Sequence, residues 1–176
     1  SILGISWFWV IGATLLSFVP PLARDLLGGD EAMASVLLAV FSVGIAVGSL
    51  LCARQLAGEI TPRPVPFAAL AMTGLLVAFA IAVAALPAPP SQGREVMQVL
   101  ATPGAVMVVA ALCGLAIASG FYAVPLFAIL QHAAPEEAKA RMIGANNIVN
   151  AVLMVAGAVV VAILSSGLGL SIPVLT

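Results

Sequence analysis

Five apolar stretches follow one another along this chain, each about as long as a helix needs to cross the hydrocarbon layer of a bilayer. They run roughly Ile2–Leu22, Met33–Ala53, Phe67–Leu86, Ala105–Leu130 and Met142–Leu164, and none carries Asp, Glu, Lys, Arg or His in its middle. In lipid an unpaired backbone N–H or C=O finds no water, so a spanning segment must be a helix or part of a closed barrel. Barrel strands alternate apolar and polar residues, whereas these runs are continuously apolar. The expected fold class is therefore all-α integral membrane: about five transmembrane helices in a single domain over residues 1–176.

Composition excludes the main alternatives. Only 7% of the 176 residues are charged and 63% are hydrophobic, against about 25% and 45–50% in soluble domains. So little polar surface cannot cover so much apolar surface in water, which rules out a soluble enzyme. A net charge of −1 and the lack of a basic block exclude a nucleic-acid partner. Disordered segments are poor in apolar residues, so disorder is excluded as well. Ser1 leads straight into an apolar run and Thr176 follows what reads as the start of another. The expectation is a fragment of a longer membrane protein. Cys52 and Cys113 both lie inside apolar runs, at depths expected to differ by about 20–25 Å. They read as small buried side chains and not as a disulfide.

The connections carry coherent stop and start signals. Pro20-Pro21 weakens the end of the first run and Gly28-Gly29 stops it, while Asp30 can cap the second. Thr61 to Pro66 forms a short, stiff link, and Pro87, Pro89 and Pro90 end the third run. Thr102-Pro103 suits the start of the fourth run, Pro135 that of the fifth, and Glu95–Ala101 reads as a short interfacial segment. Arg24 and Arg94 fall in the first and third connections, and Arg54, Arg63, Lys139 and Arg141 in the second and fourth. Basic residues collect on the cytoplasmic side, so the N-terminus is expected there.

The lack of deep ionisable groups argues against proton relays, intramembrane proteases and other enzymes built on acids, bases or metals. His132, the one His, closes the fourth run and leaves too few ligands for a His-based metal site. No catalytic residue, metal or cofactor is expected. The strongest polar cluster is Asn146, Asn147 and Asn150 in the fifth run. At 100° per residue Asn146 and Asn150 share a face, which Met154 and Gly157 continue, and Asn147 flanks it. Three amides in an apolar helix need partners or water. They either line a polar substrate route or act as interhelical glue, at about 0.6–2 kcal/mol per bond. Tyr122 is placed beside that route. Gly44 and Gly48 make a G-x-x-x-G that permits close helix approach, and Ala116, Gly120 and Ala123 form a similar face. Gly120 and Pro125 together mark a kink or hinge, the proline by removing a backbone bond. Trp7 and Trp9 read as belt residues at a membrane interface.

Several segments resemble one family. They include Ser6-Trp7-Phe8-Trp9 with Gly12-Ala13, and Leu38 to Gly44 continuing through Gly48-Ser49-Leu50-Leu51-Cys52. Tyr122 to Leu126 through Leu130-Gln131, Ala140 to Asn150, and Gly169 to Pro173 belong with them. Together they are similar to the major facilitator superfamily, and more closely to its lysophospholipid-transporter branch, over nearly the whole chain. The resemblance implies the C-terminal half of a major facilitator fold lacking its last helix, which would begin near Ser171. It also resembles bacterial proteins in which such a transporter is fused to acyltransferase and acyl-carrier-protein synthetase domains, which flip lysophospholipid inward and re-acylate it. The sequence departs from the family twice. The family's loop signature places an acid after its glycine, but here Gly48 is followed by Cys52, Ala53, Arg54 and Gly58. Stand-alone lysophospholipid transporters carry a basic residue in the first helix of this half, and Thr14-Leu15-Leu16-Ser17-Phe18 has none.

The expected function is half of a flippase for an amphipathic lipid, with lysophospholipid first, in a bacterial inner membrane. Its expected partners are membrane lipids, a missing N-terminal transporter half and fused acyltransferase domains. The rival readings are an anchoring or scaffold domain of a phospholipid acyltransferase, or a major facilitator transporter for another small molecule.

Overall fold

A computed structural model describes residues 2–89, 93–133 and 135–167. The protein is an all-α membrane protein, and among the described residues five helices are long and apolar enough to cross a bilayer. Among the described residues there is no strand, only one isolated bridge between Gly29 and Arg94. The spanning helices are α1 (Ile2–Pro21), α2 (Glu31–Leu56), α3 (Pro64–Ala84), α5 (Pro103–His132) and α6 (Lys139–Gly167); a short α4 (Val96–Leu100) precedes α5. The expected beginning of a further helix near Ser171, like Pro90, lies outside the described residues.

Most boundaries have a local cause. Asp30 caps α2, its carboxylate accepting from the Met33 N–H at 3.0 Å. Prolines occupy the first position of α3 and α5, where the missing N–H costs nothing. Pro20-Pro21 does not end the first span. Neither residue can donate to the carbonyl four places earlier, and the helix widens into one π turn, Leu22–Leu26, closed by the Leu27 N–H on the Leu22 carbonyl at 3.0 Å. Burial of Leu22, Ala23 and Leu27 holds that turn against the bundle. The chain then leaves the helix at Gly28, whose φ of 64° suits a residue without Cβ. The fifth span does not start at Pro135 as an α-helix: a 3-10 turn, Glu136–Ala138, comes first.

Residue contacts set the order and direction of the helices. The hub is α5, which packs against both α2 and α3. Gly44, Gly48 and Cys52 of α2 meet Ala116, Ile117 and Phe121 of α5 in ascending order, so this pair is parallel. Leu75 of α3 and Leu86 just past its end meet Gly114 and Gly104 of α5 in descending order, so that pair is antiparallel. Ser6 and Val10 of α1 meet Asn150 and Gly157 of α6, again parallel. The α2–α5 contact is made by backbone against backbone. A Cβ on Gly48 would lie 2.1 Å from the Ile117 carbonyl oxygen, and one on Gly120 would lie 2.4 Å from the Ser49 nitrogen. The two small-residue faces expected to permit close approach thus pack on each other.

One core cluster, including Leu15, Val19, Met33, Leu37, Phe41, Val108, Leu112 and Leu115, fills the half of the bundle near the α1–α2 connection. A smaller one, Ile5, Leu126 and Leu130, lies toward the opposite end. Outside them large apolar side chains stand free: Leu3, Phe67, Leu70, Ile148 and Val155 are each 65–75% exposed. Such a surface suits lipid as its solvent. At the α1–α2 end, Arg94 ties two connections together: its N–H donates to the Gly28 carbonyl at 2.8 Å and its carbonyl accepts from the Asp30 N–H at 3.2 Å.

Candidate functional site: the polar seam between α1 and α6

The α6 face that meets α1 carries Asn146, Asn150 and Gly157. At 1.5 Å per residue Asn146 lies about 7.5 Å and Asn150 about 13.5 Å along the helix from Arg141, so both sit within the apolar stretch. Asn150 is buried and its Oδ1 accepts from the Ser6 hydroxyl at 2.6 Å, across the helix pair. Asn146, one turn away, is completely buried, yet neither its Oδ1 nor its Nδ2 has a partner among the described residues. The cost of an amide held so is about 1–3 kcal/mol. The geometry divides the three amides: Asn147 turns away from the seam and is exposed.

Tyr122 reaches the same pair of helices from α5. Its hydroxyl donates to the Gly4 carbonyl at 3.2 Å and its ring stacks on Phe8, with centroids 6.1 Å apart. Beside it a groove of about 760 Å³ runs between α1 and α6. Its walls are Leu3, Trp7, Val10, Leu153, Val160 and neighbours, almost wholly apolar, and the Thr14 hydroxyl is turned back onto the Val10 carbonyl of its own helix. Trp7 is 64% exposed and lines this groove, while Trp9 packs edge-on against Phe8. Chemically the seam offers hydrogen bonding without charge, next to a slot for hydrocarbon.

The two expected hinge residues lie elsewhere. Gly120 faces α2, not the seam. Pro125 is fully buried inside α5, which continues past it to His132. Because Pro125 has no N–H, the Phe121 carbonyl four residues back loses its helical donor. The Cys52 thiol of α2 points at that oxygen, with sulfur 3.9 Å away. Cys52 is therefore more than an apolar filler, and both cysteines are free. Register places Cys113 level with Gly44 and Cys52 level with Phe121. Their offset along the axes is eight residues, about 12 Å, smaller than the depth difference expected from the spans alone.

Two partners are not legible in the sequence, Ser6 for Asn150 and Cys52 for the freed carbonyl. A proline at 125 does flag the carbonyl at 121, but nothing local says which helix serves it. Among the described residues no three His, Cys, Asp or Glu side chains gather as a metal site would require. No family model, curated protein or solved structure matches the chain.

Proposed function

We propose that this chain is half of a secondary transporter that moves an amphipathic lipid of the lysophospholipid class across a bacterial inner membrane, with its N-terminus cytoplasmic. The observation that carries the reading is the Asn146 amide, wholly buried and without a partner on the seam. A buried polar group that stabilises nothing in its own fold is best accounted for by something that visits it. The α1–α6 groove, whose α6 wall begins at Leu153 about one turn beyond Asn150, supplies the complementary surface, since a lysolipid needs an apolar wall for its chain and uncharged donors and acceptors for its head-group hydroxyls. Asn146 and Asn150 would serve the head group, with Tyr122 at the edge of the route, and Asn147, turned away from the seam, would take no part. The moving partner would be the N-terminal half, rocking against this one. A fused acyltransferase would re-acylate the delivered lipid, and this part would itself catalyse nothing.

The test is transfer of a fluorescent lysophospholipid by the full-length protein in vesicles. Asn146→Leu should lower transfer at least tenfold while the protein stays folded, because the substitution removes an unsatisfied amide. Normal transfer by that variant would end the site assignment. The Ser6–Asn150 bond favours a second reading, in which the seam is glue in an anchoring scaffold. Cysteines placed at 146 and 150 separate the two: water-soluble thiol reagents reach a route and fail to reach glue.

A further inference from the structure

Where α2 ends and α3 begins, a cavity of about 550 Å³ opens between α2, α3 and α5, a size typical of small-ligand sites, about 300–1,000 Å³. Phe67, Ala68, Ala71 and Phe121 form its apolar floor, and Glu59 and Arg63 stand on its polar rim. Among the described residues neither the Arg63 guanidinium nor the Glu59 carboxylate has an ion-pair partner, although both border the same space. The cavity also lies at the depth where the apolar helices give way to charged loop, the plane that lipid headgroups occupy.

We propose that this cavity holds the headgroup of a bilayer phospholipid bearing a primary amine. The phosphate meets Arg63, whose planar fork suits phosphate oxygens. The ammonium donates to Glu59, and the glycerol and first acyl carbons cover the floor from Phe67 to Ala71. A purely anionic headgroup would set its charge against Glu59, and a quaternary ammonium has no N–H to donate. The site is separate from the α1–α6 seam and does not depend on the transport reading.

The test uses the purified full-length protein, stripped of lipid and then offered equal amounts of phosphatidylethanolamine, phosphatidylcholine and phosphatidylglycerol, with retained lipid counted by native mass spectrometry. The wild type should keep phosphatidylethanolamine at least fivefold over the other two. Arg63→Gln should abolish retention. Glu59→Gln should erase the preference for the amine while leaving phosphate-bearing lipids bound, and Ala71→Phe should weaken retention by filling the floor without touching a charge. Arg24→Gln, at the other end of the bundle, should behave as wild type. Free glycerophosphoethanolamine should not compete, because it lacks the acyl chains that the floor covers. The proposal is overturned by a wild type without preference, by variants at 59, 63 and 71 that match it, by an equal loss in Arg24→Gln, or by effective competition from the free headgroup.

Discussion

Ser6 and Asn146 answer opposite questions about the same seam. Ser6 completes a bond, so Ser6→Ala strands the Asn150 oxygen and should destabilise the protein by about 0.6–2 kcal/mol in denaturant unfolding from bicelles. Adding Asn150→Leu to that variant should recover part of the loss, because removing both partners leaves nothing unpaired. If Ser6→Ala unfolds like the wild type, the 2.6 Å bond contributes nothing in the membrane. Asn146 completes no such bond, so Asn146→Leu should lower transfer without lowering the unfolding midpoint. Pro125 is the third decisive residue. Pro125→Ala gives the Phe121 carbonyl back its helical donor and should stabilise α5 by up to about 3 kcal/mol. Thermal melting in detergent reads that gain, and a melt at or below the wild-type value refutes the account of Cys52 and Phe121.

At the scale of elements, the α2–α5 crossing is held by the absence of side chains. Gly48→Leu would drive a side chain into the Ile117 backbone, which cannot retreat as a flexible side chain could. Overpacking of that kind typically costs about 1–3 kcal/mol, occasionally more. Gly74→Leu is the matched control on α3: a Cβ there would meet nothing within 4 Å, so the change should be nearly neutral. Equal unfolding midpoints for the two variants would mean that the helices do not cross at Gly48. The π turn at Leu22–Leu26 belongs to this scale too. Two adjacent prolines weaken a ladder, yet whether the helix stops depends on the next residues, and here Leu22, Ala23 and Leu27 are buried against the bundle.

For the whole molecule, the helices are unevenly held. About 44% of the most apolar stretch of α5 is buried within the protein, against 11% for α6. Local opening follows such differences in buried contact. In bicelles, amides of α6 should exchange with deuterium at least tenfold faster than those of the central turns of α5, and equal protection would contradict this division. What the sequence determined by itself was the class of the fold and the approximate place of each span, because a bilayer leaves an apolar run of about 20 residues one open-chain solution, the helix. It also marked residues whose chemistry is local, such as the Asp30 cap, the glycine faces and the paired amides. Tertiary structure alone decided which helix each polar group would meet. It joined Ser6 to Asn150 and Cys52 to Phe121, turned Asn147 outward, and left Asn146 buried without a partner among the described residues. Helical periodicity fixes which residues share a face, but the neighbour of that face is set by packing between segments far apart in the chain, and no local pattern encodes it.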